Sequence, residues 1–230
     1  ILNSRTPLES IRKLRTASGK SFIISAPGCD RFRNHFDPEK IQMKCSGPGP
    51  LLIVFAGNII PRKGLHTLLV ALREMPAGTW RLTVAGNETF NPGYAARIRE
   101  EAENSGFGGN IKLLGQVHDT ELAQLLQDSH VLVVPSSYEG FGMIYAEAMG
   151  FGLPVIGCRA GAAPELIEHG LNGFLTMPGD HSGIARHLLS LQNNRKILFE
   201  MSHAARQCFL KLPGWEEGLG RITAFLQQFA

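Results

Sequence analysis

The chain has 230 residues, of which 43% are hydrophobic and 19% are charged, and it contains 26 glycines. This is ordinary globular usage, which excludes a disordered, collagen-like or coiled-coil chain. The net charge of +3 comes from scattered basic residues and implies no nucleic-acid partner. The apolar runs are far shorter than the roughly 20 residues that a membrane-spanning helix needs.

The first fifty residues differ in pattern from the rest. Residues 6–18 predict a basic amphipathic helix, 21–26 a strand and 45–50 a stiff loop. We interpret the basic cluster of this helix as a solvated face, in preference to a membrane-surface anchor. The chain opens on Ile1, without an initiator methionine, and we interpret it as a piece of a longer polypeptide.

Four cysteines are widely spaced and form no C-x-x-C pair. Reduced thiols in a cytosolic compartment are the simplest interpretation, because a chain of this size needs no disulfides to be stable.

From residue 51 onward, short runs rich in β-branched residues alternate with longer amphipathic stretches. This alternation is typical of βαβ units and predicts a Rossmann-like α/β fold with a doubly wound parallel sheet. Helices are expected to begin near Lys63 and after His118, and the chain after Asp180 to be helical in three segments. The six predicted strands span 51–56, 80–85, 111–114, 131–135, 154–157 and 173–177.

In an open parallel sheet, ligands bind beyond the carboxyl ends of the strands. The loop after the first strand places Lys63 at the first turn of a helix, where a cation can meet a phosphate held by free N–H groups. A solvent-exposed lysine chosen for solubility is the plainer alternative. The loop after the third strand, 115–117, could present backbone groups to a nucleobase.

The loop after the fourth strand is the most informative. Gly140 and Gly142 remove side chains where the strand turns into a helix, so phosphates could approach the backbone N–H groups. Glu139 and Glu147 are expected to face one crevice at different depths. A glycoside hydrolase also uses two carboxylates, but it needs neither a helix-terminus anion site nor a lysine, so we rank it lower.

The loop after the fifth strand, 158–165, is rich in small residues and could surround a flat ring or a sugar. A tight turn with Pro164 at the first helical position explains it equally well. The sequence contains no G-x-G-x-x-G, P-loop, H-E-x-x-H or G-x-S-x-G motif, and we expect no bound metal.

Four motifs in this order resemble a known family: Pro27–Asp30, Pro61–Gly64, the E-x₇-E spacing of Glu139 and Glu147, and Gly161–Glu165. Together they resemble the C-terminal, donor-binding domain of retaining GT-B glycosyltransferases, family 4 or group 1 type. The resemblance implies that 1–20 are the remnant of an N-terminal acceptor domain. It further implies that 21–50 are a hinge or linker and 51–230 the domain that binds a nucleotide sugar.

The resemblance also assigns roles to individual residues. Lys63 would contact the donor diphosphate, Glu139 the transferred sugar, Glu147 the ribose and Val117 the base, with Glu139 and Lys63 as the catalytic pair. Asn58 stands where the family usually has arginine, and Arg62 is the candidate to compensate. The backbone that would hold phosphate and sugar belongs to Gly140, Phe141, Gly142, Met143 and Ile144.

The implied activity is transfer of a sugar with retention from a UDP- or GDP-sugar, in the cytoplasm and without metal or other cofactor. The partners implied are the nucleotide sugar and the absent acceptor domain, and the full-length enzyme could associate peripherally with membranes. The alternatives left open are a sugar-nucleotide epimerase on the same architecture and a donor-binding module that is inactive alone. A phosphorylase is disfavoured, because no lysine for pyridoxal phosphate occurs between Lys112 and Lys196.

Overall fold

The computed structural model describes residues 1–13, 20–32, 38–104, 106–107 and 109–229. Within these ranges, parallel strands form one sheet in the order β3-β2-β1-β4-β5-β6. This order confirms the predicted doubly wound α/β fold. The strands are β1 (Leu51–Ala56), β2 (Trp80–Ala85), β3 (Ile111–Gly115), β4 (Val131–Val134), β5 (Val155–Cys158) and β6 (Gly173–Thr176).

The central strands β1, β4 and β5 are covered on both faces of the sheet, which explains why they are almost continuously apolar. In β1, Leu51, Val54 and Phe55 are fully buried. The helices are α1 (Arg5–Arg12), α2 (Pro38–Ser46), α3 (Leu65–Arg73), α4 (Pro92–Asn104), α5 (Asp119–Asp128), α6 (Met143–Gly150), α7 (Ala163–Leu166), α8 (His181–Asn193), α9 (Arg195–Leu210) and α10 (Trp215–Leu226). None of the described helices is long and apolar enough to cross a membrane.

The order in which strands are added to the sheet reverses between β1 and β4, which lie side by side with Ile53 opposite Val131. Strands that follow β1 in the chain add on one side, and those that follow β4 add on the other. At such a switch point the loops leaving the two strands diverge and open a crevice. The fold therefore places the loops after β1 and β4 on either side of one site.

The predicted helix starts are confirmed with one refinement. Pro61–Lys63 forms a 3-10 turn, and α3 begins only at Leu65, after Gly64 with φ of +74°. At α5, the backbone N–H of His118 donates to the Glu121 carboxylate at 3.0 Å, as the capping sequence predicts. The three helical segments after Asp180 are α8, α9 and α10.

The region before β1 departs most from the sequence predictions. The predicted strand 21–26 is wrong, because Ile24 forms only an isolated parallel bridge with Leu2. A strand needs a partner of similar length, and the residues after Leu2 turn into α1. The helix predicted at 6–18 is shorter in the structure, because α1 ends at Arg12. Residues 14–19 lie outside the described residues.

Helix α2 was not predicted, and it includes Cys45 and Ser46 of the expected loop. Its buried residues Ile41 and Cys45 explain why it forms, because they join the core, and Cys45 Sγ lies 3.6 Å from Ser202 Oγ of α9. A helix of nine residues is marginal in isolation whatever its propensity, so tertiary packing decides it.

The Pro27–Asp30 segment fastens the start of α10. The backbone N–H of Trp215 lies 3.2 Å from Asp30 Oδ2, so the carboxylate caps the helix N-terminus. A side chain at Gly28 would overlap the Trp215 backbone. The prediction that 1–20, 21–50 and 51–230 are separate units stays a prediction.

Candidate functional site

A cavity of about 720 Å³ opens at the carboxyl ends of β1 and β4, at the switch point of the sheet. Predicted site residues that line it come from the loops after β1, β3 and β4 and from α6. These are Asn58, Lys63, Val117, Glu139, Phe141, Gly142, Met143, Ile144 and Glu147. The structure therefore brings most of the predicted site residues to one place.

Lys63 and Glu139 form an ion pair across the crevice, although they are 76 positions apart in the chain. Both side chains are largely buried, and Ser136 Oγ donates to the same Glu139 oxygen at 2.6 Å. A buried pair of this kind depends on both partners, since either charge alone would be costly in a poorly hydrated place. The pair presents a cation and a carboxylate to the same part of the cavity.

Arg62 lies beside this pair, at the outer edge of the site. Its Nη1 donates to the Tyr138 carbonyl at 2.6 Å and lies 4.0 Å from Glu139 Oε1. Arg62 does not line the cavity in this structure. Its guanidinium is half exposed and adds positive charge next to Lys63.

The loop after β4 shows why glycine precedes α6. Gly142 has φ of +91°, in the left-handed region, and α6 starts immediately after it. Because the first N–H groups of a helix have no acceptor within the helix, those of Met143 and Ile144 can bind an anion in the cavity. The carbonyl of Gly140 instead accepts from Ser4 Oγ at 2.9 Å, so Gly140 faces the N-terminal segment.

Glu147, on α6, also lines the cavity and is 6% exposed. Burial raises the pKa of the Glu147 carboxyl, and the guanidinium of Arg31 opposes that rise. Arg31 Nη1 lies 3.1 Å from Glu147 Oε1. The two carboxylates thus occupy separate positions in one cavity, with Lys63 beside one and Arg31 beside the other.

Several lining residues escaped the sequence analysis: Asn3, Arg31, Asn87 and Phe90. Asn87 and Phe90 follow β2, so the rule that ligands bind at carboxyl strand ends could have found them. Asn87 Nδ2 donates to Gln116 Oε1 at 2.7 Å, which joins the loops after β2 and β3. Asn3 and Arg31 precede the sheet, and no sequence signal placed them here.

The loop 158–165 contributes structure to the site without lining the cavity. The N–H of Ala162 donates to the Glu139 carbonyl at 2.7 Å, and a side chain at Gly161 would overlap the Glu139 backbone. This loop therefore fixes the backbone that carries Glu139. Within the described part of the chain, no cluster of three His, Cys, Asp or Glu side chains could hold a metal ion.

A sequence model described as glycosyl transferases group 1 matches residues 38–208. An uncharacterized glycosyltransferase of Methanocaldococcus jannaschii is 28% identical over 167 residues, covering 71% of this chain and 44% of the relative. The sulfoquinovosyl transferase SQD2 of Arabidopsis thaliana is 28% identical over 183 residues, covering 77% of this chain and 34% of the relative. The chain thus spans less than half the length of these relatives.

Solved structures share the fold. Sucrose-phosphate synthase from Thermosynechococcus elongatus superposes with a TM-score of 0.84 at 22% identity, covering 99% of this chain and 57% of that one. HepE of Anabaena, crystallised with UDP and glucose, gives 0.83 at 24% identity, with coverages of 99% and 62%. The C-terminal domain of the group 1 protein LpcC from Francisella tularensis gives 0.61 at 25% identity, covering 74% of this chain and 89% of that domain.

Proposed function

Because the chain belongs to the group 1 glycosyltransferases, we propose that it binds the nucleotide-sugar donor of an enzyme that transfers the sugar with retention. The observation that carries this proposal is one cavity, at the switch point of the sheet, that holds Lys63, Glu139, Glu147 and the N-terminus of α6. A diphosphate needs the cation and the free N–H groups, while the hydroxyl groups of the sugar and the ribose on either side of it need the carboxylates.

The ligand would lie along the crevice in a defined direction. Lys63 and the first N–H groups of α6 would hold the diphosphate, with the sugar at Glu139 and the ribose at Glu147. Val117, together with the neighbouring loops after β2 and β3, would lie against the base. UDP bound to the structurally similar HepE supports a nucleoside diphosphate as the ligand class.

The residues of the cavity would act mainly on the leaving group. During transfer, the bond between the anomeric carbon and the diphosphate oxygen breaks, and an acceptor oxygen attacks from the same face. The departing diphosphate takes the acceptor proton. Lys63 and the α6 N-terminus would stabilise the negative charge that develops there, an electrostatic effect worth about 3–4 kcal/mol per preorganised donor in other enzymes. The proposal needs no metal ion, because Lys63 and the α6 N-terminus supply the positive charge.

The acceptor would be bound by a part of the enzyme that this chain does not contain, since the chain spans 34–44% of those relatives. We therefore expect the chain to bind the donor without turning it over. Sugar transfer would require a second, acceptor-binding domain.

Calorimetric titration with UDP, GDP and ADP, with and without magnesium, tests the donor site. We expect one of the three to bind without magnesium, and Lys63→Ala to weaken it by about 10- to 100-fold, as the loss of a charge-assisted hydrogen bond implies. Lys196→Ala is the matched control, because Lys196 is a highly exposed lysine on α9. Equal affinities for the unaltered chain and a folded Lys63→Ala variant would contradict the assignment of Lys63.

A further inference from the structure

Arg31 lines the cavity and bridges the helices α5 and α6. Its Nε donates to Asp119 Oδ2 at 3.0 Å, and its Nη2 pairs with the other oxygen of that carboxylate, at the first residue of α5. Its Nη1 reaches Glu147 of α6 at 3.1 Å, and its Cζ lies 4.8 Å from the ring centroid of Phe32. The guanidinium is therefore held by a forked ion pair with Asp119 and by the Phe32 ring, in addition to its contact with Glu147.

The contact with Arg31 favours the charged form of the Glu147 carboxyl, which burial disfavours. The carboxyl is almost fully buried, and the burial together with the negative charge of Asp119 raises its pKa, whereas Arg31 lowers it through charge and hydrogen bonding. Arg31, from the segment before β1, and Asp119, from α5, are the charged groups that face Glu147 among the described residues. His118 adjoins Asp119 and lowers the pKa of that carboxyl slightly, behind the larger effect of Arg31.

We infer that Arg31 is a positioning residue for nucleotide binding, which holds the Glu147 carboxylate by Oε1 and leaves its second oxygen to accept from the ribose hydroxyl groups. The inference rests on the proposed function, because it takes the part of the cavity beside Glu147 as the ribose site. Among the described residues, Arg31 donates the hydrogen bond that this carboxylate accepts, and the bond is made to Oε1 alone. A carboxylate that is already oriented in the free protein loses less conformational entropy when the ligand binds.

The geometry favours this role over a blocking one. If Arg31 merely occupied the ribose site, its release would also break the fork to Asp119 and the contact with Phe32. Because neither Asp119 nor Phe32 lines the cavity, the guanidinium can stay in place while the free oxygen of Glu147 binds the ligand. Removal of the arginine should then weaken nucleotide binding, whereas removal of a side chain that blocked the ribose site would strengthen it.

The test compares Arg31→Gln with the unaltered chain, using whichever of UDP, GDP and ADP the unaltered chain binds and its 2′,3′-dideoxy analogue. Calorimetry at pH values of about 8 and about 6 shows whether the loss of affinity grows on acidification, as the raised pKa of the buried Glu147 carboxyl implies. We expect Arg31→Gln to weaken the ribonucleotide about tenfold, with a greater loss at the lower pH, and to change the dideoxy analogue little. Arg31→Lys should restore part of the affinity, because it restores the charge.

Carbon NMR of the glutamate carboxyl groups gives a second readout that needs no ligand. The Glu147 carboxyl should titrate at a higher pH in Arg31→Gln than in the unaltered chain, since the lowering effect of the guanidinium is lost. Glu147→Gln identifies its resonance. An unchanged Glu147 titration in a folded Arg31→Gln variant would overturn the inference.

The binding outcomes separate the two proposals. If the unaltered chain binds none of the three nucleotides, both the donor site and the role of Arg31 fail. If it binds one, and Arg31→Gln binds as tightly or more tightly, the inference about Arg31 fails while the donor site stands. An equal loss for the ribonucleotide and its dideoxy analogue at both pH values would show a general structural role and would likewise overturn the inference.

Discussion

Single residues set the shape of the anion site, and Gly142 does so most directly. It holds a left-handed conformation at the start of α6, and a Cβ at this position would lie 2.5 Å from the Tyr145 ring. Tyr145 is fully buried, with its hydroxyl donating to the Val134 carbonyl at 2.7 Å, so the ring has little freedom to move. Glycine is therefore required by both the backbone conformation and the packing.

We expect Gly142→Ala to lower the free energy of unfolding by about 2 kcal/mol or more, the sum of left-handed strain and overpacking. Urea denaturation followed by circular dichroism measures this. Gly93→Ala in α4 is the matched control, because its Cβ would meet nothing within 4 Å, and a gain of about 0.5–1 kcal/mol is expected there. A Gly142→Ala variant as stable as the unaltered chain would contradict the conclusion that this position requires glycine.

Contacts between elements decide how the N-terminal segment attaches to the site. Helix α1 has Ser4 at its N-cap, yet the Ser4 hydroxyl bonds elsewhere and does not cap the helix. The carboxylate of Glu165, 160 positions further along the chain, accepts from the N–H groups of Arg5 and Thr6, each at 2.9 Å. Glu165 thus caps α1 from the loop that also supports Glu139.

Glu165→Ala should loosen α1 locally, because a lost N-cap costs about 0.5–2 kcal/mol. Hydrogen exchange of the α1 amides should become faster by several fold, while the amides of α3 should be unaffected. Glu168→Ala is the control, since Glu168 is an exposed glutamate of the same region. Unaltered exchange in α1 would mean that Glu165 does not hold this helix.

At the scale of the whole molecule, His130 connects strand β1 to helix α2. Its Nδ1 accepts from the Leu52 N–H of β1 at 2.8 Å, and its Nε2 lies 3.0 Å from the Lys44 carbonyl of α2. These contacts require a neutral ring with the proton on Nε2. Burial, together with the charges of Arg195 and Lys44, lowers the pKa of His130 from 6.5 to about 4.

Stability should therefore fall on acidification. Above pH 6.5 the histidine is neutral in both states, whereas between pH 6.5 and about 4 the unfolded chain binds the proton and the folded chain does not. At about 1.4 kcal/mol per unit of pKa, His130 should contribute roughly 3 kcal/mol of the loss between pH 7 and pH 4. Urea denaturation at both pH values should show a smaller loss in His130→Gln, and an equal loss would exclude His130 as the cause.

The sequence by itself determined the sheet, the helix starts after residue 60 and the two loops that face the crevice. Hydrophobic periodicity and capping residues act over a few positions, so they can be seen in a short stretch of chain. The placement of Lys63 and Glu139 on one crevice followed from the general rule for parallel sheets. Their chemical roles are predictions that the binding experiments test.

Only the tertiary structure decided the rest. Helix α2 forms because its buried face meets α9, and residues 21–26 fail to form a strand because Leu2 offers a single residue to pair with. Arg31 and Glu147 are 116 positions apart, so no local pattern could join them. Such contacts depend on which surfaces the folded chain brings together, and that information is absent from the propensities of either partner taken alone.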